Sequence, residues 1–187
     1  MLNGKNVSLR PATPDDAELM AGWFSDTDYL GEFYNVWPET KLEWERDLAK
    51  EEDPRETGMY LIVRKDTGEP AGTIGYFNPF TLKMFARGLE LYYQVHPAAR
   101  GQGVATQAVC LLVNHLFDAT PVERLQATVV VGNEASCRVA EGAGMQNDGL
   151  YRRVFFLHGS YVDLRLYSIV REDWHDEKAY RQARRPF

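Results

Sequence analysis

Apolar residues along this chain recur first at alternating and then at helical spacing, and the switches between the two periods mark its elements. Residues 7–10 read as a short strand. Thr13-Pro14-Asp15-Asp16 then supplies an N-cap, a first-turn proline and acidic residues for a helix whose buried stripe is Ala17, Met20, Ala21 and Phe24. A second helix is predicted from near Thr40, with Glu43 completing a capping box and Trp44 and Leu48 on one face. Between them, residues 29–38 are dense in aromatics. Strands are predicted over 59–64 and 71–77, joined by the hairpin-turn composition Asp66-Thr67-Gly68-Glu69-Pro70, and 89–95 continues the sheet. Ala105, Val109, Leu112 and Leu116 recur at helical spacing and place a helix over 105–117. The β-branched run 125–131 reads as a buried strand, followed by a helix that starts at Asn133. Residues 154–157 and 164–170, flanking His158-Gly159-Ser160, read as a closing antiparallel pair.

Composition narrows the class. At 187 residues, with 44% hydrophobic and 12% aromatic residues, the chain suits one domain with a single core, taken as residues 5–172 with a tail over 173–187. No apolar run approaches a bilayer span and no signal-peptide pattern opens the chain, so a cytoplasmic location is expected. Cys110 and Cys137 both fall in predicted helices and read as packed or idle thiols. The four histidines lack metal-ligand spacing, and no metal is expected. A net charge of -6 argues against nucleic acid and favours cationic substrates, while Arg181, Arg184 and Arg185 read as a solvated end.

The main chemical signal is the junction Arg100-Gly101-Gln102-Gly103-Val104-Ala105-Thr106, between the strand at 89–95 and the helix at 105–117. A glycine-dense turn opening a helix leaves backbone N–H groups without intrahelical partners at the positive end of the helix, a receptor for a phosphorylated ligand. A nucleotide P-loop needs Lys after its last glycine, and none follows Gly103. The dinucleotide fingerprint needs a third small residue where Thr106 stands.

Arg100-x-x-Gly103-x-Ala105 is similar to the coenzyme A pyrophosphate signature of the GNAT N-acetyltransferase superfamily. Residues 133–145, with Asn133 and Ser136 opening a helix that ends in Gly144-Met145, resemble a later motif of that family at the matching distance. Gly159-x-Tyr161-x-Asp163 with Tyr167-Ser168-Ile169, together with the opening Val7-Ser8-Leu9-Arg10-Pro11, resembles the RimJ/RimL-like branch of ribosomal-protein N-terminal acetyltransferases. The resemblance implies an α/β fold with a mixed, mostly antiparallel, twisted sheet, splayed central parallel strands and flanking helices. It implies acetyl transfer from acetyl-CoA directly to a primary amine, either a protein N-terminus or a small molecule, with a homodimer open as an alternative to a monomer. A non-catalytic acyl-CoA sensor or assembly module is the competing class.

Site roles follow from the same resemblance. Gln94 and Val95 would meet the acetyl and pantetheine parts. Arg100, Gly101, Gln102, Gly103, Val104, Ala105 and Thr106 would hold the pyrophosphate, and Asn133 and Ser136 would line the other side of the coenzyme. A bulge in the strand at 89–95 would free a backbone N–H, that of Val95, toward the thioester carbonyl. An attacking amine must be neutral, and Glu90 is the candidate proton acceptor, directly or through water. Ser136 is ranked first as proton donor to the leaving thiolate, ahead of Tyr151 and Tyr167. Tyr29, Phe33, Tyr34, Trp37 and Asp163 are candidates for the acceptor pocket, with core packing an equal alternative for the aromatics. One departure stands out: the branch carries a glutamate where this chain has Phe155.

Overall fold

The computed structural model describes residues 1–79 and 87–175, so the arginines at 181, 184 and 185 lie outside the described residues. Among the described residues, eight strands form one sheet: β1 (Leu2–Asn3), β2 (Val7–Pro11), β3 (Thr57–Arg64), β4 (Pro70–Phe77), β5 (Gly88–Val95), β6 (Arg124–Val130), β7 (Gln146–Leu157) and β8 (Ser160–Val170). They run in the order β1-β2-β3-β4-β5-β6-β8-β7, every neighbouring pair antiparallel except β5 and β6. The helices are α1 (Ala17–Phe24), α2 (Thr27–Leu30), α3 (Lys41–Leu48), α4 (Val104–Ala119), α5 (Glu134–Gly142) and α6 (Arg171–His175). No described helix is long and apolar enough to cross a membrane.

Local chemistry explains the helix starts. The Thr40 and Glu43 side chains each accept from the other's backbone N–H, closing the expected capping box before α3. A short 3-10 turn (Pro14–Asp16) leads into α1, and Asp16 accepts from Arg10 at 2.7 Å and from the Thr13 N–H at 2.8 Å. Those bonds, Arg10's foremost, hold the Asp16 carboxyl below its ordinary range against the opposing effect of burial. The stripe of α1 buries Ala17 and Met20 against Trp44 and Leu61, and Phe24 packs at the margin of this cluster. The larger core lies between the sheet and α4, where Ala108, Leu112, Val113 and Leu116 are fully buried.

Some boundaries move. α4 begins at Val104 and ends at Ala119, slightly longer than its apolar stripe. β7 begins at Gln146, well before the predicted 154, and β8 at Ser160 instead of 164. Almost every residue of β7 is exposed, so no alternation of apolar and polar side chains marks it. Its backbone is also irregular: the pairing with β8 shifts register between Tyr151 and Phe155, where Arg153 has a φ of 51°.

Candidate active site

The site begins where the parallel pair stops. β5 and β6 are in register only at Gly88↔Arg124, Leu89↔Leu125 and Glu90↔Gln126. Beyond Glu90, β5 stays with β4 as far as Gly72↔Val95, while β6 follows β8 as far as Val130↔Leu164. The strands part because each keeps a different neighbour, and a cleft of about 660 Å³ opens between them. That is a size suited to a small-molecule ligand.

Strand alternation sorts the cleft into two sides. On the helix side stand Leu91, Tyr93 and Val95 of β5 and Ala127 and Val129 of β6. The Tyr93 hydroxyl donates to the Ser136 carbonyl on α5 at 3.4 Å, and burial pushes that phenol up to about 12, which keeps it a neutral donor. On the opposite side stand Glu90, Tyr92 and Gln94 of β5 and Gln126 and Thr128 of β6. The Glu90 carboxylate accepts from Gln126 Nε2 at 2.9 Å and from Thr128 Oγ1 at 2.7 Å. It is thereby fixed at the fork of the strands, with lone pairs to spare for a further proton or donor.

The amino end of α4 faces the helix side. Gly101 and Gly103 have φ values of 72° and 73°, in the left-handed region. An added Cβ at Gly101 would meet nothing within 4 Å, so there the backbone conformation, rather than space, calls for glycine. The first intrahelical bond runs from Gln107 N–H to the Gly103 carbonyl. The amides of Gly103, Val104, Ala105 and Thr106 therefore precede the ladder. Gly103 supplies no side-chain cap, and the first turn holds no acidic residue. Gly101, Gly103, Val104, Ala105 and Thr106 all line the cleft, as do Asn133 and Ser136, where the Asn133 side chain accepts from the Ser136 N–H at 3.1 Å.

Several expected contacts are made elsewhere. Arg100 lines the cleft but turns its guanidinium onto backbone carbonyls, Val95 at 2.9 Å and Tyr29 at 2.5 Å. Gln94 spends its amide on the carbonyls of Tyr29 and Leu30, fastening α2 to β5. The Gln102 side chain bonds Arg64 and the Ala98 carbonyl and is not part of the lining. The expected bulge in β5 is absent from its pairing with β4, which runs unbroken from Val95 to Glu90. His96 N–H donates to the Ala71 carbonyl, so alternation turns the N–H and C=O of Val95 away from β4 and toward the gap without a bulge.

The acceptor-side expectations divide. Phe33 and Tyr34 line the cleft, on a loop pinned to the β7–β8 hairpin by Asn35 Nδ2 donating to the Phe156 carbonyl at 2.7 Å and His158 N–H donating to Asn35 Oδ1 at 3.3 Å. Tyr29 does not line it: its side chain is 0% exposed, stacked on Trp23 at 5.0 Å, with its hydroxyl on Thr73. Trp37, 74% exposed, also stands outside the lining, and Asp163 accepts from the Arg153 N–H, bracing the irregular part of β7. Tyr151 is exposed away from the cleft, and Tyr167 is buried on the helix side with its hydroxyl on Glu141. Phe155 does line the cleft. Cys137 is buried, as expected, and Arg165 donates to its sulfur. The partners of Glu90 were not anticipated, although Gln126 and Thr128 are the polar alternates within an otherwise apolar strand. Tyr93 was missed because nothing in the strand pattern separates a tyrosine that reaches α5 from one that only packs.

Residues 6–146 match the acetyltransferase (GNAT) domain family, and the chain belongs to that family of acyltransferases. The uncharacterized N-acetyltransferase YoaA of Bacillus subtilis is 29% identical over 174 residues, covering 91% of this chain and 97% of the relative. The ribosomal-protein-serine acetyltransferase of Escherichia coli is 27% identical over 148 residues, covering 72% of this chain and 80% of the relative. Among solved structures, the ribosomal-protein-S5-alanine acetyltransferase of Vibrio fischeri superposes with a TM-score of 0.80 at 20% identity, covering 92% of this chain and 97% of that one. Mycobacterium smegmatis RimJ in complex with CoA-disulfide gives 0.78 at 23% identity, covering 94% and 87%. These likenesses extend to the fold, an open mixed sheet flanked by helices.

Proposed function

We propose that the cleft seats acetyl-CoA and that the protein transfers the acetyl group directly to a primary amine, a protein N-terminus or a small molecule. The observation that carries this reading is the fork itself, with bare α4 amides on one side of the sheet and an oriented carboxylate on the other. The residues fit the coenzyme. The amides of Gly103 to Thr106 suit a pyrophosphate, and the gap between β5 and β6 suits an extended pantetheine arm. The bound thioester would supply an activated acyl carbonyl. The Val95 N–H, aimed into the gap, would stabilise charge developing on the acyl oxygen.

An amine entering past Phe33, Tyr34 and Phe155 would arrive on the Glu90 side. Glu90, held by Gln126 and Thr128, would accept its proton directly or through water, in place of the glutamate that Phe155 replaces. Ser136, on the helix side, would return a proton to the leaving thiolate. Relatives named for ribosomal-protein-serine and phosphinothricin acetylation support an amine acceptor of either size.

The test is an amine and peptide panel with acetyl-CoA, read by free thiol release, beside calorimetry with coenzyme A. Glu90→Gln is expected to lower kcat by about 100-fold with coenzyme affinity unchanged. An unchanged rate across pH would remove Glu90 as the base. Coenzyme binding without turnover on any acceptor would instead favour the sensor or assembly module.

A further inference from the structure

α5 carries a guanidinium with no assigned role. Arg138 lines the cleft and is exposed, and among the described residues it forms no hydrogen bond or ion pair. Its placement is set by helix geometry. Gly142 lies one turn further along α5, on the same face as Arg138. A Cβ at Gly142 would stand 3.0 Å from Thr106 Cγ2 in the first turn of α4. Arg138 therefore projects beside the bare amino end of α4.

The neighbouring cations are committed. Arg100 is turned onto the carbonyls of Val95, Asp28 and Tyr29. Arg165 is paired with Glu134 at 3.0 Å. Yet coenzyme A brings two separate anionic groups, the pyrophosphate and the ribose 3′-phosphate, to a protein with a net charge of -6. The α4 amides can answer the first. A phosphomonoester needs a charged fork, which a guanidinium supplies through paired N–H donors.

We propose, on the reading that this cleft seats acetyl-CoA, that Arg138 binds the ribose 3′-phosphate and so selects coenzyme A over its dephospho form. The pyrophosphate is left to the backbone, and Arg138 reads the group that distinguishes the coenzyme from its unphosphorylated precursor.

Calorimetry with coenzyme A and with dephospho-coenzyme A, on wild type and Arg138→Ala, tests this as a closed cycle. The expected result is a loss of about tenfold in coenzyme A affinity in the variant, with dephospho-coenzyme A bound equally by both proteins. The advantage of coenzyme A over its dephospho form in wild type should shrink by the same factor. Arg138→Gln, which keeps helix propensity and a polar side chain, should repeat the pattern. Equal losses for both ligands would overturn the assignment, as would no loss for either. Failure of wild type to bind either ligand would instead remove the acetyl-CoA reading beneath it.

Discussion

The two ends of α4 are finished in opposite ways. At the carboxyl end the Arg171 guanidinium donates to the carbonyls of Val122, Phe117 and Thr120 at 2.9, 3.0 and 2.6 Å, and it lies 5.3 Å from the centre of the Phe117 ring. Thr120 adds both its N–H and its hydroxyl to the Leu116 carbonyl. At the amino end a left-handed glycine stands where Ser, Thr, Asp or Asn would ordinarily cap, and no carboxylate follows it. One helix in one core therefore carries a saturated end and a bare one. The saturated end serves stability, and the bare end holds binding capacity in reserve for an anion.

The largest expected effect breaks the saturated end. Arg171→Ala removes the fork and a positive charge from the carboxyl terminus of the helix, leaving several carbonyls short of a partner. Urea unfolding should show a loss of about 3 kcal/mol. Coenzyme affinity, measured well below the unfolding midpoint, should not change. A loss under about 1 kcal/mol would mean that water replaces the guanidinium at no cost, and the end would not be the anchor described.

Next comes the bare end. Gly103→Val places a β-branched residue at a φ of 73° and sets a side chain against the amides. Coenzyme A should bind about 100-fold more weakly, equivalent to about 2.7 kcal/mol, while unfolding stability falls by only about 1–2 kcal/mol. Retained affinity would show that the phosphates do not rest on this turn.

The contrast also shows what the chain discloses before folding. Gly101 and Gly103 at the head of a helical stripe announce the bare end, because a left-handed turn and uncapped amides are local properties of a short segment. The saturated end is silent in sequence, because Arg171 reaches Phe117 from 54 residues away. The same division runs through the site. Glu90 could be assigned from its place on a strand, but its holders lie 36 and 38 residues on. Tyr29 was misplaced for a like reason: an aromatic run without periodicity does not reveal which ring faces inward. Here a short helix turns Tyr29 onto Trp23 and Thr73, 44 residues away, while Phe33 and Tyr34 continue past it to the cleft. β7 escaped notice because neither of its faces is consistently buried.

The smallest expected effect is the sharpest, because it sets stability and binding against each other at one atom's reach. Ala105 lies in the first turn of α4, partly buried and lining the cleft. Ala105→Asp gives the amino end the carboxylate it lacks, and interaction with the helix dipole should offset the cost of helix propensity and packing. Net stability should stay within about 1 kcal/mol of wild type. The same carboxylate occupies the amides and repels a diphosphate, so coenzyme affinity should fall about tenfold, and less at high salt where the repulsion is screened. If the acid lowered stability while leaving affinity untouched, the amino end would be an ordinary helix start that happens to lack a cap. If it left stability intact and cost binding, those amides would be the part of the fold kept unsatisfied for a ligand.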